Sequence, residues 1–366
     1  MKRILLAALA AAALAAQAAQ AEPIVLRTQG SFAVGGSVVQ QAGVFSETDF
    51  LSSAGHKAYG DHAYVFYQIP ENARPLPLIF QHGGAQSKRT WESGPDGRDG
   101  FQNIFLRKRY PVYLVDQPRS GEANLSTKPV TPDTPWAGNP MYGDHTLFML
   151  SRVGTFVNGK AKVYEGSQFP ADDAAIEQFQ RGWSVGSGPL DNDLNADALA
   201  QLMEKTGPAV LVTHSMGGTI GWRAAVKSRN VRAIVALEPG GTPFLFPSDA
   251  MPGPIDATFP ALAASAKAVT PEAFSSLTRI PILVLYGDFI AKGKSPNVGQ
   301  DKWRTEQEMA ERFVRLVNAR GGDATLVKLP EIGIRGNSHF LMQEKNNAEI
   351  ADLIDGGLKK KGLAGR

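Results

Sequence analysis

The sequence predicts an α/β fold: a mostly parallel central sheet flanked by helices, with a cap inserted at the carboxyl ends of the strands. Three observations carry this expectation. Short apolar runs alternate with helical segments through the second half of the chain, a rhythm that builds a parallel sheet covered on both faces. The segment PAVLVTHSMGG (208–218) has the pattern of a buried strand that turns at a serine straight into a helix. Two long stretches rich in Gly, Pro and aromatics, about 120–191 and 240–268, leave from the ends of strands; structureless loops of that length are uncommon in compact domains, so both are expected to be cap segments.

The first 21 residues stand apart. Lys2 and Arg3 precede the apolar run LLAALAAAALAA and then Ala19-Gln20-Ala21, small residues at the positions a signal peptidase reads. The apolar core is too short for a stable membrane span. The expectation is a cleaved signal peptide (1–21), a mature chain starting at Glu22, a periplasmic or secreted location, and one domain over 22–366. No later stretch is apolar enough to span a bilayer. Losing Lys2 and Arg3 brings the formal charge of +3 close to neutrality, so nothing points to nucleic acid as a partner. The chain has no cysteine, which excludes disulfides, thiolate catalysis and Cys-ligated metals.

The elements follow in order. Residues 24–39 and 57–69 carry β-branched and aromatic residues at near-alternating positions and predict two strands. Short strands are expected at 76–80, ending in Gln81-His82-Gly83-Gly84, and at 112–115, ending in Asp116-Gln117-Pro118. Leu199, Leu202 and Met203 share one face of a helix that stops at Gly207-Pro208. The serine strand and its helix (to about Ser228) come next. Strands at 231–237 and 282–286, a helix carrying Met309, Phe313, Leu316 and Val317, a last strand at 325–329 and a closing helix from about Phe340 complete the chain.

Ser215 is the candidate nucleophile. A sharp strand-to-helix turn holds a serine oxygen clear of its own backbone and strains the serine, so its neighbours two positions away must be small. Gly217 and Gly218 meet that demand, and Thr213 meets it only partly. A serine hydroxyl needs a base, itself oriented by a carboxylate. Of six histidines, His339 lies in a flexible loop after the last strand, which this sheet order returns to the serine, and it is the expected base. His214 adjoins Ser215 but points away from it; His82 has the position of a loop support; His145 falls in the first cap segment. Glu238 and Asp288 each end a strand between serine and histidine, and the residues alone leave both open as the acid.

An oxyanion hole needs two N–H groups aimed at the developing charge. Met216 would supply one and Gly84 the other, with Ala85 as second choice. His56, Asp61 and His62 lack a third ligand at a sensible spacing, so no metal site is expected, and this chemistry calls for no cofactor. Trp136, Tyr142, Phe148, Trp183 and Phe244 suggest an apolar pocket under the cap segments. Loss of activity on acidification is expected at about pH 6 to 7, where an ordinary imidazole protonates.

Together these residues resemble the α/β-hydrolase superfamily over nearly all of the chain after the leader. A closer similarity is to the secreted bacterial esterases of the esterase 713 group. It is carried by His82-Gly83, Thr90-Trp91-Glu92, Pro95-Asp96-Gly97-Arg98, Phe105-Leu106-Arg107-Lys108, Asp116-Gln117, and Asn337-Ser338-His339 running into Met342-Gln343. The resemblance implies an α/β-hydrolase fold, a carboxylic ester hydrolase with a cap, and Glu238 as the acid. Two departures stand out: Gly84-Ala85 replaces an adjacent cysteine pair typical of the group, and Thr213 replaces the glycine that opens the serine motif.

The function expected is a secreted serine esterase that acts on a small-molecule ester through an acyl-enzyme. The alternatives are a lactonase, acyltransferase or C–C bond hydrolase on the same triad, or a non-catalytic binding protein on this fold. A serine rather than an aspartate at the turn disfavours dehalogenase chemistry.

Overall fold

The computed structural model describes residues 23–128 and 143–365; the leader, the Glu22 start, Trp136 and Tyr142 lie outside them. Eight strands form the main sheet: β1 (Leu26–Gln40), β2 (Lys57–Pro70), β3 (Leu78–Gln81), β4 (Val112–Asp116), β7 (Ala209–His214), β8 (Val231–Leu237), β11 (Pro281–Tyr286) and β12 (Asp323–Lys328). Their spatial order is β1-β2-β4-β3-β7-β8-β11-β12. β1 and β2 pair antiparallel, β2 runs antiparallel to β4, and the six strands from β4 to β12 are parallel. Two small sheets form outside it: β5 (Gly154–Val157) with β6 (Lys160–Val163) lies within 120–191, and β9 (Phe244–Pro247) with β10 (Ala266–Val269) spans most of 240–268 and ends one residue beyond it.

The described helices are α1 (Phe101–Arg107), α2 (Asp144–Leu150), α3 (Asp173–Gln180), α4 (Asn192–Thr206), α5 (Gly217–Lys227), α6 (Pro271–Thr278), α7 (Val298–Ala319) and α8 (Asn347–Lys360). Every residue of β3 and β7 is buried, because helices cover both faces, and this is why these strands are continuous apolar runs in the sequence. Alternate side chains serve two cores. Ile79, Leu211, Ile234 and Val284 pack with Leu199 and Leu202 of α4, Trp222 of α5 and Phe313 of α7. Leu78, Phe80, Val210, Val212 and Val235 pack with Phe101 and Phe105 of α1 and Ile350 and Ile354 of α8. Full burial of each such side chain contributes about 1.5–3 kcal/mol, so the two cores fix the sheet on which the loops stand.

The strand expectations match β1 to β4, β7, β8, β11 and β12 to within a few residues. The closing helix does not begin at Phe340. Residues 341–346 form turns and α8 starts at Asn347, because Asn347 Nδ2 donates to the Met342 and Asp99 carbonyls (3.1 and 2.8 Å) and Glu344 is drawn back to the 337–338 loop. α1 and α6 are too short, at seven and eight residues, for apolar periodicity to announce them. Phe244 belongs to the core: its ring centroid lies 4.7 Å from that of Trp222.

Thr213 is accommodated by a glycine elsewhere. A Cβ on Gly221, one turn into α5, would lie 2.8 Å from Thr213 Cγ2. The methyl that a glycine at 213 would lack thus sits in the space left by the missing Cβ at 221. Gly221→Ala is expected to destabilise the protein, because overpacking costs about 1–3 kcal/mol and outweighs a helix-propensity gain of at most about 1 kcal/mol. In a Thr213→Gly background the same change should turn stabilising. Thermal melts of the four variants check this reversal of sign.

Candidate active site

Ser215 sits between β7 and α5 at φ 54°, the left-handed region that a non-glycine residue adopts only under constraint. Its backbone is clamped: Ser215 N–H donates to the Leu237 carbonyl at 3.0 Å, and its carbonyl accepts from Gly218 N (2.9 Å) and Gly240 N (3.2 Å). The glycines that follow are required by contact. A Cβ at Gly217 would lie 2.7 Å from the His82 carbonyl, and one at Gly218 would lie 2.6 Å from Pro239 Cβ. The loops that follow β3 and β8 therefore crowd the start of α5 from both sides.

His339 and Glu238 come together. His339 Nδ1 is 3.3 Å from Glu238 Oε2, and both side chains are buried. An ionised carboxylate only accepts, so the proton sits on Nδ1 and leaves a lone pair on Nε2. The His339 backbone N–H donates to the Ser151 carbonyl at 3.1 Å, and the Trp303 ring lies 4.0 Å from the imidazole. Burial, with Arg152 and Lys302 adding to it, holds His339 well below the usual imidazole pKa. On that direction, the acid limb of activity should fall below the pH of about 6 to 7 at which an ordinary imidazole protonates. Desolvation disfavours the imidazolium, and a neutral ring at neutral pH can accept a proton.

Asp288 is engaged otherwise. Its carboxylate accepts from Phe289 N at 2.8 Å and Gly336 N at 3.0 Å, and its backbone N–H donates to the Asn337 carbonyl at 2.6 Å. It braces the loop that carries His339. Glu238, at φ 49° directly after β8, accepts at Oε1 from Arg152 Nη2 at 2.8 Å and from the Gly287 N–H. Burial pushes the Glu238 carboxyl up, while Arg152 and Gly287 act against that rise.

On the opposite side, Gly84 closes on Met216: a Cβ there would lie 2.3 Å from Met216 Sδ. Neither the Gly84 nor the Met216 N–H donates to a partner among the described residues. Ser215, Met216, Gly84, Ala85 and His339 all line one cavity of about 460 Å³.

The sequence profile of the alpha/beta hydrolase family matches residues 78–353. The chain belongs to the alpha/beta hydrolase family. It is similar to "Probable secreted lipase phiG" from Fungal sp. (strain ATCC 74256), 28% identical over 338 residues that cover 84% of this chain and 89% of that protein. Among solved structures it is similar to one described as that of "a Novel Bacterial Esterase", with a TM-score of 0.70 and 28% identity over 93% of this chain and 98% of that one.

Three other histidines of this hydrolase, His214, His82 and His145, have different partners. His214 is fully buried, its Nε2 2.9 Å from the His339 carbonyl and its Nδ1 3.2 Å from the Gln86 side chain, so it supports both site loops. His82 Nδ1 donates to the Gly83 carbonyl at 2.8 Å. His145 is exposed, stacks on Phe156 and pairs with Asp144. Asp61 accepts from Arg119 Nε at 2.7 Å and from Thr127, which hold its carboxyl down at about 2.

The 120–191 stretch of the hydrolase contributes Leu147, Leu150, Trp183, Pro189 and Leu190 to the cavity walls, and 240–268 contributes Leu262. Phe148 is buried behind them against Phe156. Sequence reasoning missed Arg152, Lys302, Trp303 and Glu344. Glu344 is fully buried, accepts from Ser338 N and Asn337 Nδ2 at 2.6 Å each, and burial pushes it up to about 7. No motif flags these four residues. Each becomes visible only when its loop or helix is folded against Glu238, His339 or the 337–338 loop.

Proposed function

We propose that this hydrolase is a secreted serine carboxylic ester hydrolase. Ser215 is the nucleophile, His339 the general base, Glu238 the orienting acid, and the Met216 and Gly84 N–H groups the oxyanion hole. The observation that carries this reading is the strained Ser215 on the floor of a cavity that also holds His339, whose Nδ1 faces a buried carboxylate. In the first half-reaction His339 Nε2 takes the serine proton as Oγ attacks the ester carbonyl, and the oxyanion is met by the two N–H groups. The imidazolium then protonates the leaving alkoxide, which gives an acyl-serine. Water, activated by the same nitrogen, releases the acid and restores Ser215. The names of the two similar proteins, a lipase and an esterase, support an ester as substrate.

The residues at 120–191 act in this reading as a cap that supplies the pocket walls. The leader, read as a signal peptide, accounts for secretion to the periplasm or beyond, and no described helix is long and apolar enough to cross a membrane. Incubation with a fluorophosphonate and a panel of p-nitrophenyl esters tests the function. The expected result is one covalent label on Ser215 and ester turnover that the label abolishes. Labelling elsewhere, or turnover untouched by the label, would remove the serine mechanism. Intact mass of the exported protein should place its start at Glu22.

A further inference from the structure

The 120–191 stretch reaches the catalytic centre itself, through one buried cation. Arg152 follows α2 at φ 57° and its side chain is fully buried. Its guanidinium holds two loops at once: Nη2 donates to Glu238 Oε1 at 2.8 Å and Nε donates to the Asp288 carbonyl at 3.0 Å. Its guanidinium carbon also lies 5.4 Å over the ring of Trp303, whose centroid is 4.0 Å from that of the His339 imidazole. The neighbouring Ser151 carbonyl accepts the His339 backbone N–H. Two consecutive residues of the 120–191 stretch thus hold both ends of the Glu238–His339 pair.

We infer that Arg152 is a positioning residue for the triad: it keeps the buried Glu238 ionised, turns Oε2 towards His339, and ties completion of the triad to the seating of the cap. This rests on the reading of Glu238 as the acid. A carboxylate fully removed from water would otherwise take up a proton, and a protonated Glu238 could no longer stabilise the imidazolium. The planar fork explains the choice of arginine, since one group satisfies a carboxylate and a carbonyl in a fixed geometry. The arrangement has a second consequence. Arg152 places positive charge near the imidazole, so it disfavours imidazolium in the resting enzyme and extends activity to lower pH.

Other charges face this centre and stay in place in the test. Lys302 of α7 lies 3.9 Å over the Trp303 ring and pairs with Glu306 at 3.0 Å. His214 from β7 is held neutral by burial, and Tyr286 of β11 donates to the Pro239 carbonyl. Glu344 accepts from Ser338 N at 2.6 Å and lies close enough to Glu238 for the two carboxyls to repel.

The experiment measures kcat, KM and the pH dependence of kcat/KM for the wild type, Arg152→Lys, Arg152→Gln, Glu238→Gln and the double variant Arg152→Gln/Glu238→Gln. Arg152→Gln should lower kcat about 100-fold or more with KM little changed, and move the acid limb up by about one pH unit or more. Arg152→Lys, which keeps the charge but not the fork, should leave the limb near its wild-type position and lose about tenfold in kcat. The double variant has no buried charge left unpaired, and its kcat should match that of Glu238→Gln within about threefold, since Arg152 acts through Glu238. A folded Arg152→Gln enzyme with the wild-type limb overturns the inference. Should that variant fail to fold, a double variant far less active than Glu238→Gln overturns it instead, because Arg152 would then act elsewhere. Near-normal turnover in Glu238→Gln marks failure of the triad reading itself, a separate outcome.

Discussion

Ser215→Ala and His339→Ala should each lower kcat on a simple ester by about four to six orders of magnitude, with folding intact. In the proposed mechanism the size follows from their shared role. Without Oγ there is no nucleophile, and without Nε2 the hydroxyl keeps its proton, so either loss stops the same step. The double variant should therefore be hardly worse than either single one. The residual rate comes from binding and from the Met216 and Gly84 N–H groups, which neither change removes. His145→Ala is the control: it is exposed, stacked on Phe156, and should alter kcat little. Stopped assays with circular dichroism on each variant decide the matter. Abolition by His145→Ala with survival of His339→Ala would transfer the base.

Glu238→Gln should cost on the order of 10⁴ in kcat, because the neutral amide loses the charge that stabilises imidazolium and can favour the wrong tautomer. It also leaves Arg152 without its counter-charge, a loss of about 3–5 kcal/mol in stability. A fold held by two full cores should survive this at 25 °C, and a thermal melt verifies it. Asp288→Asn should cost about tenfold or less, since its carboxylate only braces backbone N–H groups and an amide oxygen can still accept one of them. Parallel kinetics at neutral pH compare the two variants. Collapse of Asp288→Asn beside near-normal Glu238→Gln would move the acid role to Asp288.

The two carboxylates show where sequence reasoning stops. Both follow a strand and both lie between serine and histidine in the chain, so order alone could not separate them. What separates them in space is the left-handed backbone at Glu238 and the turn through Pro239, which aim its longer side chain across to His339. Asp288 spends its oxygens on its own loop. Similarly, the distance from Thr213 to Gly221 along the chain hides a contact that makes the unusual residue at 213 tolerable.

The sequence by itself determined the layered sheet, the strand-to-helix turn at Ser215, the loop of His339 and the glycines beside Ser215. These depend on local pattern: apolar runs where both faces are covered, and small residues where backbones meet. Tertiary structure alone decided which carboxylate faces the imidazole, that Phe244 belongs to the core, and that Arg152, Trp303 and Glu344 surround the site. Burial and charge pairing arise between segments distant in the chain, and no local pattern encodes which buried charge will find which partner.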